Sequence, residues 1–204
     1  LAIIWHVTAS YAPSNKERRA ILEAHTKIRE SVNPTASDMH MMAYSSKMER
    51  MAETMVDKCL SIKQRDYRGF SVNQIVFFHV RGDYEKLVTF FAKQARQYDY
   101  RTNGCSKLCE GYKKIVWANS TEVGCARKRC GFSSTGKIRP GDFVVCVYNS
   151  ESVRGQRPYK EGISCSQCPP GEKCSRNQCV TPPIAAAASS EDDLPPISSE
   201  SPET

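Results

Sequence analysis

The spacing of core-facing side chains near the start of the chain predicts an amphipathic helix. Ser14 and Glu17 stand three residues apart, which is the spacing of a capping box at a helix start. Large side chains then recur every three or four residues until Pro34, which cannot continue a helix. We therefore predict a helix over 17–31. Its stripe consists of Ile21, Leu22, His25, Ile28 and Val32.

Two further segments have helical periodicity. Ser46 and Glu49 repeat the capping-box spacing ahead of a methionine-rich stripe, which is more typical of core filling than of a binding surface. Asp83 is a suitable N-cap for a third helix over 84–98. The apolar arc of this helix is broad enough for burial on more than one side. Its members are Tyr84, Leu87, Val88, Phe91, Ala92, Ala95 and Tyr98.

Three segments are predicted to be strands, and the first and last of them are rich in β-branched and aromatic side chains. They lie at 75–80, 123–129 and 143–149. The last has an unbroken apolar run, which is typical of an interior strand. Strands interleaved with helices predict an α/β fold in three layers, a small sheet covered by helices on both faces.

Ten cysteines and the lack of a long apolar segment indicate a disulfide-stabilised protein from an oxidising compartment. No run approaches the ~20 apolar residues that a transmembrane helix needs. Residues 1–9 have two interpretations, the last part of a secretion signal or an apolar arm packed on the domain. We expect a secreted, extracellular protein.

Charge divides the chain into two unequal parts. The net charge is +7, but residues 1–180 alone have 29 basic and 17 acidic side chains, a net charge of +12. Such a body attracts sulfated glycans or anionic lipid headgroups, although basic side chains also serve solubility alone. A nucleic-acid partner is not expected, because the compartment is wrong and no basic-aromatic motif accompanies the charge.

Composition also predicts the domain organisation. An N-terminal arm or signal remnant (1–16) precedes the main domain (17–149), and a polar linker (150–164) leads to a small cysteine cluster (165–180). Residues 181–204 are mostly Pro, Ala, Ser and acidic side chains, and we expect this tail to be disordered. The four cysteines of the cluster permit three pairings, and a zinc site is the rival interpretation.

The segment Cys109–Cys130 contains the most informative motif. Tyr112, Val116, Trp117, Gly124 and Cys125 are in register with the signature Gly-His-Tyr-Thr-Gln-x-Val-Trp followed by Gly-Cys. That signature belongs to the CAP superfamily of cysteine-rich secretory proteins, antigen 5 and plant pathogenesis-related 1 proteins, which this segment resembles. Gly111 stands where the family has histidine.

Other motifs extend the resemblance over about residues 17–149. The segment 24–29 is similar to the first-helix motif His-Asn-x-x-Arg, with Thr26 in place of Asn. Segments 34–39 and 51–59 are similar to Pro-x-Ala-x-x-Met and Ala-x-x-x-Ala-x-x-Cys. The chain looks closest to the venom-allergen-like proteins of parasitic worms. This resemblance implies an α-β-α sandwich with a small disulfide-rich C-terminal extension.

The resemblance also implies a pairing of the cysteines. The family pattern carries over to Cys59–Cys130 and Cys125–Cys146. Cys105 and Cys109 then remain, and they flank only three residues, which suits a local bridge. The hinge of cysteine-rich secretory proteins implies first-to-third and second-to-fourth linkage in the terminal cluster. Its pairs would be Cys165–Cys174 and Cys168–Cys179.

Many CAP proteins hold a divalent metal with two His and two Glu in a central cavity. The four matching positions here lack those ligands: they are Lys63, Val72, Gln94 and Gly111. An ammonium only donates, an amide replaces carboxylate poorly, and the other two side chains offer no ligand. We expect no metal and no other resident cofactor.

For function, the resemblance implies lipid carriage. A fatty-acid chain would lie between the helices 17–31 and 84–98, and a sterol would lie under an aromatic loop at about 98–108 that contains Tyr98 and Tyr100. Periodicity alone does not distinguish a lined channel from a filled core. The expected channel residues are Ile21, Leu22, His25, Ile28, Leu87, Phe91 and Ala95.

A second hypothesis is a secreted protein that binds host glycans or a receptor through its basic surface. It is supported by the charge, the terminal cysteine cluster and the sequon Asn119-Ser120-Thr121, a glycosylation acceptor in a predicted turn. Catalysis is not expected, because no Gly-x-Ser-x-Gly nucleophile motif is present and all ten cysteines are assigned to bridges.

Overall fold

The computed structural model describes residues 12–60, 67–79, 81–134, 137–152 and 155–182. The segment 1–9, Lys63 and the tail from residue 183 lie outside these ranges. The elements in chain order are α1 (Asn15–Glu30), β1 (Ala43–Tyr44), α2 (Ser46–Asp57), β2 (Ser71–Phe78), α3 (Tyr84–Ala92), a 3₁₀ helix (Lys93–Gln97), β3 (Tyr98–Asp99), β4 (Gly104–Cys105), α4 (Glu110–Ile115), β5 (Glu122–Ser134), β6 (Lys137–Tyr148), β7 (Lys173–Ser175) and β8 (Gln178–Val180).

Helix α1 begins where its capping box predicts. The Ser14 hydroxyl accepts a hydrogen bond from the Glu17 N–H at 3.3 Å, and the Glu17 carboxylate accepts one from the Ser14 N–H at 2.8 Å. These bonds satisfy N–H groups that have no partner inside the helix. The predicted helix over 17–31 is confirmed, with its start two residues earlier.

The predicted cap of α2 is wrong by one residue. Ser45, not Ser46, caps the helix and accepts a hydrogen bond from the Met48 N–H. Glu49 does not take part in the cap, and its carboxylate instead accepts bonds from Arg18 at 2.7 and 3.0 Å. The Tyr44 hydroxyl donates a third bond to this carboxylate at 2.6 Å.

Helix α3 is shorter than the predicted 84–98. Asp83 caps it as expected, accepting from the Lys86 N–H at 2.7 Å, but the α-helix ends at Ala92. The chain then tightens into the 3₁₀ helix Lys93–Gln97, which ends the 3.6-residue periodicity. The prediction for its last six residues was therefore wrong.

The main sheet has the strand order β1, β5, β6, β2. Strand β6 pairs antiparallel with both β5 and β2, so its predicted interior position is confirmed. Val144 and Cys146 of this strand face the core under α1, α3 and α4, whereas Val145 and Val147 face the core under α2. Helices thus cover both faces of the sheet, and the predicted three-layer α/β fold is confirmed.

Helix α2 approaches the sheet at Gly124. A Cβ on this residue would overlap backbone atoms of Ser45, Met48 and Glu49. The Ser45 N–H also donates to the carbonyl of Val123 at 2.9 Å. Glycine is required because only a residue without a side chain lets the start of α2 lie directly on β5. The Gly-Cys part of the sequence motif therefore has a packing role.

All ten cysteines are paired in the structure, in the combination that the resemblance implies. Two bridges lie in the main domain, one is local, and two hold the C-terminal segment. Cross-links of this kind stabilise a fold largely by restricting the unfolded chain, typically by ~2–4 kcal/mol each. The pairs are Cys59–Cys130, Cys125–Cys146, Cys105–Cys109, Cys165–Cys174 and Cys168–Cys179.

The C-terminal segment 155–182 packs against the main domain. The carbonyl of Lys160 accepts from the Ser37 N–H at 2.8 Å, and the Cys179 N–H donates to the Met39 carbonyl at 2.7 Å. Tyr159 is buried. Within the expected linker 150–164, the backbone groups of Pro158, Lys160 and Gly162 are hydrogen-bonded to the main domain.

Arg29 fastens α1 to the turn before β5. Its guanidinium is fully buried and donates to five backbone carbonyls at 2.6–3.2 Å. Burial lowers the pKa of Arg29 to about 9. The irregular turn needs these bonds because its carbonyls have no ladder partner. The five acceptors are Ile115, Trp117, His40, Ala118 and Ser120.

Candidate functional site

A groove of about 330 Å³ lies between α1 and α3. The N-terminal turns of the two helices lie together, because Arg127 forms an ion pair with Glu17 at 3.5 Å and stacks over the Tyr84 ring at 5.3 Å. Small and aliphatic side chains form the apolar part of the groove, and exposed polar side chains form its rim. The lining consists of Ala20, Glu23, Ala24, Lys27, Ile28, Glu85, Val88, Thr89 and Ala92.

Only one of the residues expected to line a channel between these helices lines this α1–α3 groove, namely Ile28. Ile21, His25 and Leu87 are fully buried in the core on the sheet. Leu22 and Phe91 are half-buried and pack against the same core. Ala95 is exposed on the 3₁₀ helix.

The expected lining and the α1–α3 groove differ because each helix has two flanks. The large side chains face the sheet, whereas the groove lies on the neighbouring flank, where alanines leave space. Ala20, Ala24 and Ala92 were the available signal, since small residues four apart on a helix form a continuous shallow surface.

The rim of the groove is linked to the C-terminal segment by a guanidinium. Arg176, in the turn between β7 and β8, donates to Glu23 at 2.7 and 3.2 Å and to Glu30 at 2.6 and 2.9 Å. Lys27 lies 3.6 Å from a Glu23 carboxylate oxygen. The hydrogen bonds from Arg176 lower the pKa of both glutamates, so both stay ionised.

Beneath the groove, His25 belongs to a buried polar network. Its Nδ1 lies 2.8 Å from the Ile21 carbonyl, which only accepts, so Nδ1 has the proton. Its Nε2 then accepts from the Tyr148 hydroxyl at 3.1 Å. Asn73 donates to that hydroxyl at 3.3 Å and to the Gly111 carbonyl at 3.0 Å. Burial lowers the pKa of His25 to about 4.

Of the four positions that the resemblance matches to metal ligands, the structure describes Val72, Gln94 and Gly111. Phe91 occupies the space beside Gly111, and a Cβ on that glycine would overlap the Phe91 ring. The side-chain oxygen of Gln94 accepts from the Tyr112 N–H at 3.2 Å, and Val72 is buried and apolar. These three residues supply no imidazole or carboxylate, so they do not fit a divalent cation.

Sequence comparison agrees with the fold and its motifs. A family model described as the cysteine-rich secretory protein family (CAP) matches residues 22–148. The chain belongs to the CAP family. A mouse (Mus musculus) CAP relative, cysteine-rich secretory protein LCCL domain-containing 1, is 33% identical over 185 residues, which are 82% of this chain and 37% of the relative. The chain thus spans little more than a third of that protein's length.

Further CAP proteins are similar in sequence or in structure. Human (Homo sapiens) GLIPR1-like protein 1 is 31% identical over 195 residues, covering 87% of this chain and 78% of the relative. The crystal structure of NaASP2 with Zn2+ has a TM-score of 0.67 at 23% identity and covers 83% of this chain and 100% of that one. Venom allergen-like protein 4 of Schistosoma mansoni has a TM-score of 0.59 at 20% identity and covers 76% and 100%. At these identities the structures show the fold alone.

The aromatic loop expected to cover a sterol is an ordered hairpin in this CAP protein. Tyr98 belongs to strand β3 and Tyr100 follows it, and the disulfide Cys105–Cys109 closes the segment. Tyr100 is buried, stacks on Tyr159 with ring centroids 4.9 Å apart, and donates to the Tyr159 carbonyl at 2.8 Å. The Tyr98 hydroxyl donates to Asn103 at 2.9 Å. Both rings are thus engaged within the fold, and their contact with a sterol stays a prediction.

Two features bear on location and on other ligands. No helix among the described residues is long and apolar enough to cross a membrane. Within the same ranges, three residues that could ligate a metal ion lie close together: Cys105, Cys109 and Glu110. Both of its sulfurs are oxidised in the local disulfide, so they are not available as thiolate ligands.

Proposed function

We propose that this CAP protein is a secreted lipid-binding protein that holds one alkyl chain in the α1–α3 groove. The observation that supports this most is the groove itself, a furrow between two helices with an apolar lining and a charged rim. Its volume of about 330 Å³ is at the lower end of ligand-pocket sizes, ~300–1,000 Å³. A narrow site of this size suits a single chain better than a fused-ring sterol.

The expected affinity follows from buried methylene groups. Each methylene that leaves water contributes ~0.8 kcal/mol, so a fatty acid that buries about 13 of them gains roughly 10 kcal/mol. Lost translational freedom and chain ordering reduce this gain. We expect micromolar binding, a free energy of about −8 kcal/mol.

The proposal is for binding without catalysis and without a metal at the family cavity. Gly111, Val72 and Gln94 offer no metal ligands of the family type, and Phe91 fills the space between helix α3 and Gly111. Five disulfides support an extracellular location. Mass spectrometry of the secreted, non-reduced protein would test this location through the number of intact bridges.

The test of lipid binding uses the full chain from a eukaryotic secretion host. Organic extraction and mass spectrometry should identify bound fatty acid, and delipidated protein should take up labelled palmitate with one-to-one stoichiometry. Protein that is empty after purification and does not bind palmitate would contradict the proposal.

A second candidate function, glycan binding, is favoured by one basic segment. Residues 93–114 have six Lys or Arg side chains against two acidic ones. The exposed basic side chains are Lys93, Arg96, Arg101 and Lys107. One of those acids, Asp99, accepts from the Arg101 N–H at 2.9 Å and is thus engaged locally. Retention on heparin that decreases steeply with salt would support this function. Retention equal to that of a variant with Arg96 and Lys107 changed to Gln would contradict it.

We also propose that Asn119 accepts an N-linked glycan. Its side chain is exposed, whereas the neighbouring Ser120 is buried. The turn is fixed by Arg29, which bonds the Ser120 carbonyl at 3.2 Å. A mass shift on treatment with peptide N-glycosidase, absent from Asn119→Gln, would support occupancy, and identical masses before and after treatment would contradict it.

A further inference from the structure

We propose that Lys27 binds the carboxylate of a fatty acid in the α1–α3 groove and that Arg176 makes this possible by engaging Glu23. The inference rests on the proposed function. It adds the ligand's head group, the cation that recognises it and a role for the C-terminal segment in the site.

Lys27 is the cation in the groove lining, and it is well exposed. It belongs to the last turn of α1, whereas the acidic lining residue Glu85 belongs to the first turn of α3. Since the N-terminal turns of the two helices lie together, Lys27 and Glu85 are at opposite ends of the groove. A carboxylate at the Lys27 end therefore avoids Glu85, and the chain extends past Ala24.

Glu23 is the natural competitor for this ammonium. It lies one helical turn before Lys27, the spacing at which opposite charges on a helix pair. In the structure Lys27 forms only a long ion pair with Glu23, at 3.6 Å, whereas Arg176 bonds both Glu23 oxygens at 2.7 and 3.2 Å. A guanidinium binds a carboxylate through two parallel bonds, so it outcompetes the single ammonium.

The placement of Arg176 is itself well defined. Arg176 and Asn177 have positive φ angles of 51° and 57°, in the tight turn between β7 and β8. Asn177 donates to the Glu30 carbonyl at 2.9 Å, and Gln178, which is fully buried, lies against Thr26 at 3.4 Å. The disulfide Cys168–Cys179 ties this hairpin to the rest of the segment. Arg176 is thus a positioning residue, held in place independently of any ligand.

The experiment compares the dissociation constants of palmitate and hexadecanol, which differ only in the head group. We expect the wild type to bind palmitate about three- to fivefold more tightly, the size of one exposed ion pair. Lys27→Gln should abolish the preference, which is measured as the ratio of the palmitate and hexadecanol dissociation constants in the same variant. Lys16→Gln, an exposed lysine on the first turn of α1, is the matched control and should keep the preference.

The Arg176 variants distinguish positioning from simple structural support. Arg176→Gln should reduce the preference to about onefold, because Glu23, no longer bonded by the guanidinium, then pairs more closely with Lys27. Adding Glu23→Gln should restore the preference for palmitate. If Arg176→Gln acted through a structural defect, this second change would not restore it. An unchanged preference in Arg176→Gln, or no restoration in the double variant, would overturn the inference. Equal binding of both ligands to the wild type would overturn this inference alone, whereas binding of neither would overturn the proposed function too.

Discussion

Helix α3 contributes to two regions, which differ in the size of the side chain that the helix places in each. In the first region, called the filled centre, Phe91 fills the space beside Gly111. On the neighbouring flank, Ala92 and Val88 leave the α1–α3 groove open. Adjacent residues of one helix thus close one site and keep another. The comparison teaches that neighbouring residues of one helix can fill one space and leave another open.

The largest expected effect concerns the filled centre. Gly111→His should lower the free energy of unfolding by ~3 kcal/mol, because its Cβ overlaps the Phe91 ring in a packed core. Urea unfolding measures this loss. Phe91→Ala is destabilising on its own, but the double variant should be more stable than the sum of the single effects by at least ~1 kcal/mol. Additive losses would show that the two positions do not compete for space.

Acid should destabilise the same centre through His25. The folded-state pKa of about 4 is lower than the ordinary 6.5, so the unfolded state binds the proton first and stability decreases as pH falls from 6.5 to 4. At ~1.4 kcal/mol per pH unit the total loss is about 3 kcal/mol. Urea unfolding at several pH values measures it. His25→Gln should flatten this part of the profile, and an identical slope in the variant would exclude His25 as the cause.

Filling the groove should affect binding more than stability. Ala24→Phe places a ring in the groove lining and should raise the palmitate dissociation constant at least tenfold, ~1.4 kcal/mol. Fluorescence titration measures this change. Ala95→Phe is the matched control, because Ala95 is exposed on the 3₁₀ helix outside the lining. An equal effect of both variants would place the ligand elsewhere.

The smallest effect is expected from divalent metal. Zinc titration by calorimetry should show no saturable one-to-one site that depends on Gln94, because this amide is bonded to the Tyr112 N–H and the adjacent positions have no ligand. A one-to-one site that Gln94→Ala abolishes would contradict the filled-centre account.

The sequence predicted the helices, the sheet and the cysteine pairs better than it predicted the groove. Periodicity identifies the stripe that faces a core, and it therefore selected Ile21 and Leu87, which are fully buried. The groove lies on the adjacent flank and depends on how α1 and α3 pack together, which one-dimensional spacing does not encode. Alanines at 20, 24 and 92 were a weak signal, because small residues occur for many reasons.

Long-range polar contacts also escaped prediction. The two bonds from Arg176 to Glu23 join residues 153 positions apart. They depend on the C-terminal segment folding back, whereas its polar composition predicted only a linker and a separate cluster. The cap of α2 was misplaced for a similar reason, since Glu49 is bonded to Arg18 on another helix.

The most direct test locates a bound chain within the fold. We would crystallise the protein with 16-bromohexadecanoic acid and map the anomalous signal of bromine. The account predicts a bromine peak at the Ala20 and Glu85 end of the α1–α3 groove, with the carboxylate near Lys27 at the other end. A peak between Phe91 and Gly111, or beside the hairpin that contains Tyr98, would contradict it, as would crystals without bromine despite saturating ligand.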